Sequence, residues 1–96
     1  MIAVSAKVTA VKGKEKEVEQ LLCDNAARVN ANADDALMYI VHRSVDDPCV
    51  FLLYEQYRDV EHIDLIHRQT SYAKVLRTAI HELLACPPEV ARYEIL

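Results

Sequence analysis

The sequence predicts an α+β fold, a ferredoxin-like βαββαβ protomer in which helices cover one face of an antiparallel sheet. Two observations carry this prediction. Four segments alternate apolar and polar residues or are rich in β-forming residues, and two further segments repeat their apolar residues with helical spacing. These segments follow one another in the order β-α-β-β-α-β. The 96 residues leave room for one domain, spanning residues 1–96.

The first half of the chain predicts a strand, a helix and a second strand. Apolar and polar residues alternate over residues 2–11, and the only glycine, Gly13, ends that strand. A helical stripe begins after Lys14 and fades near Asn30; its members are Val18, Leu21, Leu22, Ala26 and Val29. Residues 37–43 are rich in β-forming side chains and predict the second strand.

The second half begins with a turn at residues 46–48 and a third strand at residues 49–57. Asp59 is the expected N-cap of a short helix that ends near His67, with Val60, Ile63 and His67 on one face.

A third helix and a last strand complete the chain. Thr70 or Ser71 is the expected cap of the helix, whose apolar stripe is Tyr72, Leu76, Ala79, Ile80, Leu83 and Leu84. Pro87 and Pro88 end it, and residues 90–96 predict the strand.

The third strand predicts a partner subunit. Its first half is almost continuously apolar, which is typical of a strand that is covered on both faces. The chain's own helices cover one face of the sheet, so a second copy of the chain is expected to cover the other. The 52% hydrophobic content is also high for a chain of this length. We therefore expect a homodimer.

Charge and cysteine content narrow the class of protein. The net charge of −4 and the lack of a Lys/Arg run argue against binding to nucleic acid or to an anionic membrane surface. No apolar stretch approaches the roughly 20 residues of a membrane span, and the alternating N-terminus is unlike a signal peptide. The three cysteines are widely spaced, which suggests reduced thiols and a cytoplasmic location.

Three residues in and beside the second helical region are the leading candidates for chemistry. His67 can transfer protons near neutral pH, and its helix face directs it towards the core or its edge. Tyr57 and Tyr72 bracket the short helix, where their rings can line a cavity and their hydroxyls can bind a substrate oxygen. The alternative for His67 is a half-buried histidine that bonds to a backbone carbonyl, and the alternative for the two tyrosines is an ordinary strand-end or helix-start residue.

Polar residues of the strands are further candidates. Glu55 is expected to be half-buried, either in a structural pair with Arg43 or Arg58 or as a substrate-binding group. His42 and Arg43 end the second strand and are candidates for holding an anionic substrate group, although strand-end charges are usually solvated.

The sequence supports neither a metal site nor a phosphate-binding loop. His62 and His81 are expected to be exposed. No histidines show metal-ligand spacing, so no metal site is predicted. A glycine-rich phosphate loop is absent as well.

The chain resembles the antibiotic biosynthesis monooxygenase domain family over nearly its whole length. The resemblance lies in the N-terminal strand and helix start, the turn at residues 45–48, and the run from Tyr54 to Leu76. Family members show an aromatic-Glu-x-aromatic strand end, an acidic turn, and a helix with His, Ser/Thr and then His or Tyr. Here the strand end is residues 54–57, and His67, Thr70 and Tyr72 follow.

The resemblance implies a dimeric α+β barrel with a pocket between sheet and helices in each subunit. It implies a monooxygenase that uses dioxygen on a small electron-rich aromatic, quinol or anthrone-like, with no cofactor. On this view His67 transfers the proton, Tyr57 and Tyr72 give orienting hydrogen bonds, and His42 or Arg43 supplies a supporting charge.

Departures from the family pattern keep two alternatives open. Many oxygenase members have Trp where this chain has Tyr57, and His is common at the position of Tyr72. Haem-degrading relatives carry a histidine one turn later, where this chain has Val75 and Leu76. The alternatives are an isomerase of a small dione or keto metabolite, which needs the same proton transfer without oxygen, and a non-enzymatic dimeric ligand-binding module.

Overall fold

The computed structural model describes residues 1–96 and confirms the ferredoxin-like βαββαβ fold. The elements are β1 (Ile2–Thr9), α1 (Glu15–Ala31), β2 (Met38–Arg43), β3 (Val50–Tyr57), α2 (Ser71–Ile80) and β4 (Glu89–Glu94). A π-helical turn (His62–Ile66) and a 3₁₀ turn (His67–Gln69) lie between β3 and α2, and a 3₁₀ turn (His81–Leu83) follows α2. The four strands form one antiparallel sheet in the order β2-β3-β1-β4.

Strand register fixes which side chains share the helix-covered face. Glu55 on β3 pairs with Val4 on β1 and with Tyr39 on β2, and Val4 pairs in turn with Arg92 on β4. Side chains directly opposite one another in a sheet point to the same face. One row on the helix-covered face therefore carries three polar residues, Tyr39, Glu55 and Arg92, across three of the four strands.

The core lies between this face and the two helices. The stripe predicted on α1 is confirmed at Val18, Leu22, Ala26 and Val29, which are buried, whereas Leu21 is only partly buried. Phe51 and Leu53 cover the sheet side of the core. On α2 the predicted stripe holds at Ile80 but not at Ala79, which is exposed.

Two predicted helix caps are present. The side-chain oxygen of Thr70 accepts a hydrogen bond from the Ala73 backbone N–H at 3.2 Å. Asp59 accepts one from the His62 backbone N–H at 2.7 Å. The caps fix where each helical segment begins, so they also fix the position of the residues between them.

The opposite face of the sheet, which we call the outer face, is not covered by the chain. It carries Met38, Ile40, Leu52, Tyr54 and Tyr93. Leu52, on the central strand β3, is 41% exposed, and Ile40, on the neighbouring edge strand β2, is 44% exposed. Large apolar side chains are more often buried. The outer face is thus an apolar surface of the kind that protein–protein contacts use. None of the helices combines the length and apolar character that crossing a membrane requires.

Candidate functional site

A cavity of about 230 Å³ lies between the helix-covered face of the sheet and the helices. Most of its lining is apolar, and short side chains at Ala6 on β1 and Ala73 on α2 leave room for it. Its polar lining residues are Asn25, Tyr39, Glu55, His67, Arg68, Arg77 and Arg92. Ligand pockets are typically about 300–1,000 Å³ and mostly apolar with a few placed polar groups. This cavity is therefore suited to a small, largely apolar ligand.

His67 lines the cavity and is held by a buried acid. Its Nδ1 lies 2.7 Å from Oδ1 of Asp35, whose side chain is fully buried, while the His67 side chain is 11% exposed. A carboxylate offers only acceptor atoms, so Nδ1 carries the proton and donates it to Asp35. In the neutral ring this leaves Nε2 as the unprotonated nitrogen, which is the atom that can accept a proton.

Tyr72 reaches the same acid from α2 and does not line the cavity. Its hydroxyl donates to Oδ2 of Asp35 and accepts a hydrogen bond from Nδ2 of Asn32 at 3.3 Å. Burial and the bond to Asp35 raise the pKa of Tyr72, so it keeps its proton. Tyr72 therefore contacts His67 through Asp35 and not directly.

The loop between α1 and β2 positions Asp35. Asn32, just after α1, accepts a hydrogen bond from the Asp35 backbone N–H at its carbonyl oxygen and one from the Asp34 backbone N–H at its side-chain oxygen, each at 3.0 Å. Side chains of Asn commonly bond to the backbone two residues on and thereby shape turns. Asp35 was missed from the sequence, since a loop residue shows no periodicity and its partners lie 27 to 37 residues away.

The expectation that His62 would be exposed is wrong. His62 is buried, with its Nε2 3.0 Å from the carbonyl oxygen of Asp35. The cause is the π-helical turn, in which the His67 backbone N–H bonds to the carbonyl of His62, five residues earlier. In an α-helix, neighbours on one face are three or four residues apart. The wider turn brings residues five apart onto one side, so both histidines reach Asp35, whereas Val60 becomes exposed.

Glu55 and Tyr57 form the second polar pair of the site. They lie two residues apart on β3, on one face of the sheet, and the Tyr57 hydroxyl donates to Oε1 of Glu55 at 2.5 Å. Glu55 is 6% exposed, so it is more buried than expected, and its partner is Tyr57 rather than Arg43 or Arg58. Burial raises the pKa of Glu55, while the bond from Tyr57 and the nearby His67 oppose that rise.

Tyr57 is fully buried behind the site and does not line the cavity. Its ring lies 5.2 Å from that of His67, measured between centroids. Burial and the adjacent Glu55 raise the pKa of its hydroxyl, so it acts as a donor. Tyr57 is therefore connected to the cavity through Glu55, which lines it, and its role in orienting a substrate stays a prediction.

Asn25 and Tyr39 form a polar pair that the sequence analysis missed. Nδ2 of Asn25 donates to the Tyr39 hydroxyl at 3.1 Å, and the Tyr39 ring lies 5.9 Å from that of His67. Burial raises the pKa of Tyr39. Asn25 occupies a core position of the α1 stripe, at spacings of three and four residues from Leu22 and Val29. A polar residue at such a position was the available signal.

His42 and Arg43 do not line the cavity. His42 pairs with Leu52 on the outer face, where its Nδ1 lies 3.1 Å from the Leu52 carbonyl oxygen. Arg43 is exposed and forms an ion pair with Glu19 of α1. Both residues thus lie outside this cavity, and their role in binding a substrate stays a prediction. The positive charges at the cavity come instead from Arg68, Arg77 and Arg92, which are exposed at its edge.

Comparisons with known proteins agree with the fold. A protein from Nitrosomonas europaea described as a candidate antibiotic biosynthesis monooxygenase shares 20% identity and superposes with a TM-score of 0.92, covering 100% of this chain and 99% of that chain. One from Caulobacter crescentus with the same description shares 27% identity with a TM-score of 0.90, covering 99% and 89%. A protein from Mycobacterium tuberculosis shares 24% identity with a TM-score of 0.89, covering 99% and 94%.

No curated protein matches this chain. The family model described as antibiotic biosynthesis monooxygenase, however, matches residues 1–79, which include every residue of the Asp35–His67–Tyr72 and Glu55–Tyr57 groups. The chain belongs to the antibiotic biosynthesis monooxygenase family.

Proposed function

We propose that this protein is a cofactor-independent monooxygenase that oxidises a small electron-rich aromatic, quinol or anthrone-like, with dioxygen. The observation that carries the proposal is the His67 imidazole, which lines an apolar cavity and is held through Nδ1 by the buried carboxylate of Asp35. A base in a largely apolar cavity is what deprotonation of a phenol or enol requires.

Proton transfer is the first step. Nε2 of His67 takes the proton of a substrate hydroxyl, and Asp35 stabilises the imidazolium that forms. Arg68 and Arg77 supply positive charge at the cavity edge, which favours the anionic form of the substrate, whereas the charge of Arg92 is paired with Asp64. Tyr57 and Tyr72 act as positioning residues, since each donates its hydroxyl to an acid of the site.

The substrate anion then supplies the electrons for oxygen. In an anthrone, the CH₂ group becomes a carbonyl and loses four electrons; one atom of dioxygen enters the carbonyl and the other leaves as water. In a quinol, one ring C–H becomes C–OH and the diol becomes a dione, which again releases four electrons and one water. Both reactions balance without a metal, a flavin or an external reductant.

We propose that the functional unit is a homodimer in the cytoplasm. The outer face supports the dimer, since Ile40 on β2 and Leu52 on β3 belong to an apolar surface that the chain leaves uncovered. Contact between two such faces would leave each cavity, on the other side of its sheet, open to substrate.

The proposal is tested by oxygen uptake with anthrone and with 1,4-dihydroxynaphthalene, corrected for uptake without protein. We expect protein-dependent uptake that His67→Ala lowers by at least about 100-fold, in line with the usual contribution of a general base. His81→Ala, which changes an exposed histidine outside the cavity, is the matched control and should keep full activity. No uptake with either compound, at a protein concentration that binds them, would overturn the proposal.

An isomerase is the second candidate, because the Asp35–His67 pair can move a proton between carbon and oxygen without oxygen chemistry. That activity would appear as deuterium exchange into a small α-diketone with no oxygen uptake. A binding module would instead bind 1-naphthol without turnover, and His67→Ala would leave that binding unchanged.

A further inference from the structure

One polar atom in the core has no partner in the chain. Oδ1 of Asn25 accepts no hydrogen bond from the chain. The residue is only 4% exposed, so bulk solvent does not supply a partner either. This oxygen is the only buried side-chain nitrogen or oxygen atom in this condition. Leaving a buried acceptor unsatisfied is unfavourable, so each such atom in a folded protein calls for an explanation.

Asn25 makes one side-chain hydrogen bond, from its Nδ2 to the Tyr39 hydroxyl at 3.1 Å. If the amide is turned over, its oxygen meets that hydroxyl and its NH₂ group takes the place of the free oxygen. A hydroxyl can both donate and accept, so a ligand hydroxyl satisfies the free group in both orientations.

Asn25 and Tyr39 both line the cavity that holds His67. Tyr39 lies between the other two residues, with its ring beside the His67 ring at 5.9 Å and its hydroxyl on Asn25. The free amide and the base are thus separated along an apolar cavity by a tyrosine side chain. A ligand with two hydroxyls on opposite sides of an aromatic frame can engage both.

We infer that Asn25 is a specificity-determining residue that binds a second substrate hydroxyl, distinct from the one that His67 deprotonates. The inference rests on the proposed function and narrows its substrate class to dihydroxylated aromatics of the hydroquinone type. An anthrone, which has a single oxygen, leaves the Asn25 amide unsatisfied. A site built to bind a hydroxyl discriminates against analogues that lack it, because its buried polar group is then left unpaired.

The test compares two probes under anaerobic conditions, so that neither is oxidised. The Kd of 1,4-dihydroxynaphthalene and of 1-naphthol, which lacks the second hydroxyl, is measured by calorimetry on the wild-type protein and on Asn25→Leu. The wild type should bind the diol about tenfold more tightly, as expected for one hydrogen bond to a buried group. In Asn25→Leu the ratio of the two Kd values should fall to about one, while binding of 1-naphthol persists.

Each outcome decides the inference. Equal binding of the two probes by the wild type, or an unchanged ratio in Asn25→Leu, overturns it and leaves the proposed function standing. Absence of binding by both probes overturns the inference together with the proposed function. Asn25→Ala is a second variant with the same expected ratio, in case leucine disturbs folding, and the wild-type ratio alone already tests the preference.

Discussion

The Nδ1 atom of His67 lies 2.7 Å from a carboxylate oxygen of Asp35, 32 residues away in the chain. The same buried carboxyl group receives the Tyr72 hydroxyl on its other oxygen, and its backbone carbonyl lies 3.0 Å from Nε2 of His62. Asp35 thus connects the α1–β2 loop, the π-helical turn and α2. Asp35 therefore sets the orientation of the His67 ring, and that orientation leaves Nε2 available to accept a proton.

Asp35→Asn is predicted to lower kcat by about 10- to 1,000-fold. An amide has one acceptor oxygen where the carboxylate uses two, and it carries no charge to stabilise the imidazolium of His67. The measurement is oxygen uptake as a function of pH, since a change in the pH profile separates loss of the carboxylate from a general structural effect. Asp34→Asn, at the exposed neighbouring position, is the control. Equal pH profiles for wild type and Asp35→Asn would contradict this role.

Tyr57→Phe is predicted to raise the pKa of Glu55 further. Burial raises this pKa already, and the hydrogen bond from Tyr57 opposes the rise by stabilising the carboxylate. Removal of the hydroxyl takes away the largest effect that opposes burial, and the nearby His67 continues to oppose it. The loss also costs about 1–3 kcal/mol of stability, because a buried carboxyl group loses its partner. NMR titration of the Glu55 carboxyl carbon measures the pKa directly. Tyr54→Phe, on the outer face, should leave it unchanged, and an unshifted pKa in Tyr57→Phe would refute the assignment.

Glu55→Gln is predicted to gain stability relative to wild type as the pH rises. Because the folded pKa of Glu55 lies above its ordinary value of 4.5, the folded chain binds this proton more tightly than the unfolded chain does. The resulting stability is present at pH values below the unfolded pKa and is lost as the pH rises through the folded pKa. Glutamine does not titrate, so that loss is absent in the variant.

Urea unfolding at intervals from about pH 4 to about pH 8 tests this, with the difference between variant and wild type taken at each pH. Taking the difference cancels the titration of groups common to both proteins, such as Asp64, whose pKa is lowered by its bond to Arg92. Glu61→Gln, at an exposed position, should show no such trend. A difference that moves in the opposite direction would mean that Glu55 is ionised more readily in the folded chain.

Leu52→Glu on the outer face is predicted to convert a dimer into monomers. Leu52 is 41% exposed and lies on a central strand, so a charge there would be buried at the centre of the proposed contact. Sedimentation should show half the wild-type mass with an unchanged far-UV spectrum. Val75→Glu, at a 65% exposed position on the helical side, should stay dimeric. A monomeric wild type would show that the outer face is not a self-contact.

Much of the fold could be predicted because its signals are local. Alternation identified the first strand, and runs of β-forming or apolar residues identified the second and third. The side chains of Asp59 and Thr70 identified two helix starts that the structure confirms. Only some of the residues at the centre of the site could be predicted from the sequence. His67, Glu55 and Tyr57 could be named from their positions near the β3–helix junction, whereas Asp35 acts from a loop that carries no pattern.

The prediction that His62 is exposed was wrong for a different reason. The prediction assumed an α-helical period after Asp59, and a π-helical turn changes which residues share a side. The segment offers no glycine or proline that would announce this change. Tertiary contacts hold it, among them the contact between His62 and the Asp35 backbone carbonyl.

Because of the π-helical turn, the contacts of the site depend on the number of residues between His62 and His67. A turn closed five residues apart contains one residue more than an α-helical turn. Removing a single residue between His62 and His67 would therefore rotate one imidazole away from Asp35 while the sheet and both long helices kept their sequence. The contacts of both imidazoles with Asp35 therefore depend on the number of residues in this one turn.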